Sequence, residues 1–319
     1  MTARSLDRPD ATVSYWVEGP PHAPTVLLLH GAALDHHAWR PQVRVLRDRY
    51  RVVTVDLRHH GASTASGAFR FHDAVDDVLA LLDALAPDPL ALVGLSLGGN
   101  IAQEVVRRDP ERVDALVVAD ATCNSVVRLP TEKVATLAAL RSLAWYPRRL
   151  FLHAAGRATA RDPDARRYVR EATAAMPQAA TVGVLSSLVS DALRAEPGYR
   201  LPVPMLLVHG DGDRVGDIAA GARRWARRDP RVELVVIPSA SHLSNLDAPE
   251  AFTDALVGFL DRVVPVPAPS EPAEPVEGPL RRLRATARAW WTRRRYSLAR
   301  VRIRSSRAAR RARRTSARG

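Results

Sequence analysis

Ala91-Leu-Val-Gly-Leu-Ser-Leu-Gly-Gly-Asn100 is the stretch on which the reading of this chain turns. Leu90 to Val93 is an apolar run of strand type, and Ile101 to Val106 reads as the start of a helix. Between them stands Gly94-x-Ser96-x-Gly98, the spacing of a nucleophile elbow. A strand that turns into a helix this abruptly leaves no room for side chains two residues either side of the serine. Gly94 and Gly98 meet that demand. Such a turn pushes the Ser96 hydroxyl out beyond the sheet edge. It also sets the Leu97 N–H at a helix N-terminus, where developing negative charge is favoured.

Working outward, the flanking segments alternate in type. Thr12 to Val17 alternates in polarity as an outer strand does, and Thr25 to Leu29 is continuously apolar, as a central parallel strand is. Trp39 to Leu46 reads as a short helix and Arg51 to Val55 as a strand. Phe71 to Leu85 carries Val75, Val78, Leu79, Leu82 and Leu85 at helical spacing. After the elbow and its helix comes the strand Ala115 to Ala119. Strand and helix patterns resume with Val203 to Val208, Asp217 to Arg227, Val232 to Ile237 and Pro249 to Val264. This alternation predicts an α/β fold with a mostly parallel, twisted sheet flanked by helices. The core is expected over residues 1–123 and 200–264.

Between them, residues 124–199 break the rhythm. Ala, Arg and Leu dominate, with prolines at 130, 147, 163 and 177 as breaks. The segment is far longer than a simple crossover needs, so it is expected to be an inserted helical cap. Leu143, Trp145, Tyr146, Phe151 and Leu152 are its candidates for lining an acyl or ring pocket, or else form its own core. Residues 265–279 are a Pro/Ala/Glu linker.

The chain has 319 residues and a formal charge of +13, but the charge is unevenly spread. Residues 281–319 hold sixteen arginines and no acid, whereas residues 1–270 are neutral overall. Lys133 is the sole lysine, a bias that weakens arginine richness as a functional signal. The basic tail, 280–319, places Leu283, Trp290, Trp291 and Leu298 near helical spacing among its arginines. That pattern suits an anionic membrane surface, nucleic acid by counterion release, or a solvated polycation without partner. Cys123 is the single cysteine, so no internal disulfide forms. The polar first ten residues and the lack of a run near ~20 apolar residues suggest a cytoplasmic protein, with the tail allowing a peripheral place at the inner membrane surface.

Taken as a set, the motifs resemble the α/β-hydrolase family in its bacterial esterase, enol-lactonase and cofactor-free haloperoxidase-like branch. They are His30-Gly31 after a strand, Asp56-Leu-Arg-x-His60-Gly61-x-Ser63, Gly94-x-Ser96-x-Gly98, Gly210-Asp211-x-Asp213 and Ser241-His242. The similarity spans roughly residues 10–264. It implies an α/β-hydrolase fold and an esterase or lactonase chemistry with no cofactor and no metal.

A serine hydroxyl needs a base to take its proton as it attacks. His242, in the loop before the last helix, is the candidate. The adjacent pairs His36–His37 and His59–His60 converge poorly on one metal ion. By resemblance, Asp213 is the acid that orients His242, with Asp211 its neighbour in the turn and Asp120 a rival at the end of the preceding strand. Also by resemblance, the oxyanion donors are the N–H groups of Ala32 and Leu97, with Ala33 one position away. His30 would brace the oxyanion loop, and Asp56 would cap its own loop. The expected substrate is a small-molecule ester, thioester or lactone. Carbon–carbon bond hydrolases and haloperoxidase-like enzymes share the same three residues, and a catalytically idle fold anchored by its tail is the non-enzymatic alternative.

Overall fold

The computed structural model describes residues 3–125, 130–194, 196, 198–264 and 266. The linker and the arginine-rich tail, with their expected lipid or nucleic-acid partners, fall outside the described residues apart from Val266.

In chain order the strands are β1 (Arg4–Arg8), β2 (Ala11–Glu18), β3 (Thr25–Leu29), β4 (Arg51–Val55), β5 (Thr64–Ala65), β6 (Leu90–Leu95), β7 (Ala115–Ala119), β8 (Met205–Gly210) and β9 (Val232–Ile237). The helices are α1 (Arg40–Leu46), α2 (Phe71–Leu85), α3 (Leu97–Arg108), α4 (Pro130–Ser142), α5 (Arg148–Thr159), α6 (Pro163–Ala175), α7 (Gln178–Ser187), α8 (Ile218–Arg228), α9 (Ser244–Asp247) and α10 (Pro249–Val263). The sheet order is β1-β2-β4-β3-β6-β7-β8-β9, with β5 on β2. Every pairing from β4 through to β9 is parallel, and β1, β2 and β5 pair antiparallel at one end.

Side chains alternate across the pleat, so each central strand feeds two cores. Leu27 and Leu29 of β3 join Val75, Val78 and Leu82 of α2 and Ile101 and Val105 of α3 on one face. Val26 and Leu28 join Val43 of α1 and Phe252, Leu256 and Phe259 of α10 on the other. β3, β6 and β7 are buried along their whole length, as expected of strands covered on both faces.

Two departures from the sequence expectation have a plain physical reason. β8 begins at Met205 rather than Val203, since Pro202 and Pro204 have no N–H to donate to a ladder. β1 was not legible, because Arg-Ser-Leu-Asp-Arg is a polar edge strand ordered by its ladder with β2.

The stretch from β7 to β8 carries α4 to α7. Its buried residues enter both cores: Met176 and Val184 on the α2–α3 side, Ala165 and Val169 on the α10 side. No single helix among the described residues is long and apolar enough to cross a membrane.

Candidate active site

The elbow forms as its glycines require. A Cβ at Gly94 would collide with the Gly98 carbonyl, and one at Gly98 would lie 2.7 Å from the His30 carbonyl and closer still to that of Leu29. The strain falls on Ser96, whose φ of 51° is in the left-handed region that a non-glycine residue adopts only at a cost. Its neighbours hold it there. Leu95 is anchored in the α10-side core and Leu97 in the opposite one, both fully buried. The Ser96 N–H donates to the Ala119 carbonyl at 2.8 Å.

Three side chains from three loops meet at this serine. Ser96 Oγ lies 3.0 Å from Nε2 of His242, and Nδ1 of His242 lies 3.1 Å from Oδ2 of Asp213. A carboxylate only accepts, so Nδ1 carries the proton and Nε2 is left to accept from the hydroxyl. The other oxygen of Asp213 accepts the Val215 N–H at 2.8 Å, which fixes the carboxylate plane. His242 is raised above the ordinary imidazole value. Burial acts against its charged form, but the hydrogen bond and charge of Asp213, with the charge of Asp120 behind them, outweigh that burial.

The rival carboxylates are engaged elsewhere. Asp211 accepts the Ser239 N–H at 3.1 Å and lies 3.4 Å from the Arg161 guanidinium. Asp120, fully buried, accepts from the Gly210 N–H and from the N–H and hydroxyl of Ser244. Asp56 accepts the N–H groups of His36 at 2.6 Å and Ala62 at 2.7 Å, which is the loop cap expected of it.

The candidate oxyanion donors sit on two sides of Ser96. Leu97 is the first residue of α3, so its N–H belongs to the helix-start donors that have no intrahelical acceptor. Ala32 follows Gly31, whose Cα packs so close to the elbow that a Cβ there would lie 3.4 Å from Ser96 Cβ. His30 braces this loop from below. Its Nε2 accepts the Leu57 N–H at 3.0 Å, which leaves Nδ1–H to donate to the Gly31 carbonyl at 2.7 Å. Burial pushes its pKa down, so the neutral ring that this geometry needs is favoured.

Residues of the α4–α7 segment reach the His242 loop, α9 and the oxyanion loop. Thr159 O accepts the Leu243 N–H at 2.9 Å. Asp247 accepts the N–H groups of Arg161, Asp162 and Ser241, all within 3.0 Å, joining the α5–α6 corner to the residue before His242. Tyr168 Oη donates to Asp35 Oδ1 at 2.9 Å, just past the oxyanion loop. Neither Asp247 nor Tyr168 had a local sequence signal, since Arg161, Asp162 and Asp35, which they bond, lie far from them along the chain. The aromatic expectation for this segment needs correction. Trp145 and Tyr146 are 90% and 51% exposed, facing solvent, and only Phe151 of that set is buried. Trp145 ends, and Tyr146 follows, a short turn after α4, whose inner face is covered only in part.

Among the described residues, Asp35, His36 and His37 could each direct one ligand atom to a shared point. Their atoms are already partnered: His36 with Asp56, His37 with Asp35, and Asp35 with Tyr168.

A model of the alpha/beta hydrolase family matches residues 26–255. The chain belongs to that family. A curated relative, the pimeloyl-(acyl-carrier protein) methyl ester esterase of Nitrosospira multiformis, is 30% identical over 77% of this chain and 98% of its own length. The 3-oxoadipate enol-lactonase 1 of Acinetobacter baylyi is 26% identical over 81% of this chain and 96% of its own. Among solved structures, the enol-lactonase from Burkholderia xenovorans LB400 superposes with a TM-score of 0.69 at 24% identity, covering 81% of this chain and 99% of that one, and shows the shared fold. By family and by relatives, this α/β hydrolase is a hydrolytic enzyme.

Proposed function

We propose that this hydrolase cleaves a carboxylic ester, thioester or lactone through an acyl-enzyme on Ser96. The observation that carries the reading is the hydrogen-bonded line from Ser96 Oγ to His242 Nε2 and from His242 Nδ1 to Asp213 Oδ2, at 3.0 and 3.1 Å. Ser96 Oγ attacks the carbonyl carbon while its proton passes to Nε2. The carbonyl electrons move to the oxygen, where the Ala32 and Leu97 N–H groups receive the charge. Collapse expels the alcohol or thiol, which takes the proton from His242, and leaves an ester on Ser96. Water then gives a proton to His242, attacks that ester, and releases the acid as Ser96 regains its hydrogen. Asp213 holds the ring in the required tautomer and stabilises the imidazolium throughout.

The substrate class follows the relatives, one named for a methyl ester and another for an enol-lactone. Attack on an ester or on a lactone carbonyl gives the same kind of tetrahedral intermediate, so one site geometry suits both. Residues 124–199 act in this reading as a cap over the core formed by 1–123 and 200–264. Its ties to the His242 loop and to Asp35 favour a wall that shapes the acyl site rather than a free lid. Arginines in 281–319 favour anionic surfaces, lipid or nucleic acid, independently of the chemistry.

Labelling with a fluorophosphonate followed by peptide mapping tests the assignment. One adduct on the peptide holding Ser96, lost in Ser96→Ala, is expected. An unlabelled wild-type protein would remove the serine from the mechanism.

A further inference from the structure

Asp120 is a buried carboxylate for which the mechanism above has no use. It follows β7 at a φ of 46°, a left-handed conformation that a non-glycine residue holds only when its surroundings insist. No part of it reaches solvent. Its N–H donates to the Val208 carbonyl of β8 at 2.8 Å. Oδ1 accepts the N–H of Gly210 at 3.0 Å, and Oδ2 accepts the N–H and the hydroxyl of Ser244 at 3.1 and 2.5 Å.

These partners have one thing in common. Gly210 closes β8 three residues before Asp213, and Ser244 opens α9 two residues after His242. The two loops that must deliver the acid and the base are therefore tied to the same carboxylate. All the groups bonded to it are neutral donors. The ionisable groups that act on it are His242, which favours its charge, and Asp213, which opposes it.

We propose that Asp120 is a positioning residue: it clamps the Asp213 turn to the His242 loop, and in its ionised form it backs the imidazolium that His242 becomes. This rests on the reading of Ser96, His242 and Asp213 as the reacting set. Two consequences separate the clamp from a purely structural buried acid. The first is geometric: losing it slackens the Nδ1–Oδ2 contact, which is felt in the chemical step rather than in substrate binding. The second is electrostatic. Burial raises Asp120 to about 7, so its charge acts on His242 only above that pH, and neutralising the residue costs most there.

Asp120→Asn in the full chain makes the test, since asparagine keeps the shape and loses the charge. Steady-state hydrolysis of a p-nitrophenyl ester across pH should give a kcat lower by about tenfold or more, with KM changed far less. The loss in kcat should be larger at pH 8, where Asp120 is ionised, than at pH 6. Should this variant not fold, Ser244→Ala removes one tie with the carboxylate in place, and a kcat a few-fold lower at unchanged KM is expected. Wild-type kcat in Asp120→Asn across this pH range would overturn the proposal, as would wild-type kcat in Ser244→Ala. Ser96→Ala, run alongside, distinguishes the failures. An inactive Ser96→Ala beside an unaffected Asp120→Asn refutes only the clamp, whereas an active Ser96→Ala refutes the underlying mechanism.

Discussion

Asp213→Asn perturbs the site by one atom, and its consequence can be worked from the hydrogen bonds. Asp213 Oδ1 accepts the Val215 N–H at 2.8 Å, and Oδ2 faces His242 Nδ1 at 3.1 Å. An asparagine keeps its oxygen towards Val215, because the backbone N–H there can only donate. Its NH2 group then faces Nδ1 and requires that nitrogen to accept. The imidazole proton moves to Nε2, which now points a hydrogen at Ser96 Oγ and cannot take one. The wrong tautomer and the missing charge together should lower kcat by roughly 10⁴-fold, about 5.5 kcal/mol of barrier. There is a second signature in pH. Catalysis requires neutral His242, so kcat/KM rises with pH through the His242 value, and Asp213 holds that value up. Removing the carboxylate should move the acid limb to lower pH. Hydrolysis of p-nitrophenyl butyrate from pH 5 to 9, with thermal unfolding to verify the fold, measures both. A variant that keeps more than about a tenth of wild-type kcat with an unmoved limb would refute the assignment of Asp213.

Four further outcomes are expected. Gly98→Ala, whose new Cβ meets fixed backbone carbonyls, should cost about 3 kcal/mol or more in denaturant unfolding. Gly183→Ala, in α7 with open space around it, should be neutral or gain up to ~1 kcal/mol. Burial raises Asp120 to about 7. The folded state therefore keeps this proton where the unfolded chain has lost it, so stability from this group is full below pH ~4 and falls as pH rises through 7. The melting temperature of Asp120→Asn relative to wild type should thus increase from pH 5 to pH 8, and a difference independent of pH would contradict that burial. A chain ending at Val266 should hydrolyse a soluble ester as the full chain does, while flotation with anionic vesicles should be lost with the arginines if the tail binds lipid.

How much of this was legible beforehand depends on the range over which each signal acts. The elbow is local: two glycines, a serine and a strand–helix switch constrain a few consecutive residues, so Gly94 to Gly98 reads directly. The strands β3, β4 and β7 were found at their observed limits because burial on both faces demands continuous apolar runs. Asp213, Asp211 and Asp120 all end or follow strands on the same side of the sheet. No local pattern states which of them reaches His242. Their separation appears only when the loops are in place, with Asp211 turned to Ser239 and Asp120 to Ser244. The same holds for Asp247, which lies six residues from Ser241 but 86 from Arg161. Trp145 failed differently. Large aromatics are buried more often than not, and the partly covered α4 leaves this one outside.

The central claim is a covalent intermediate on one serine, and rapid acid quenching tests it most directly. A p-nitrophenyl ester is mixed with the enzyme, the reaction is stopped within the first turnover, and the protein is weighed intact and mapped by peptide. The account predicts a burst of p-nitrophenol matching the enzyme present, and one acyl group carried by the peptide that contains Ser96. An acyl group mapped elsewhere, or Ser96→Ala turning over the ester like wild type, would contradict it.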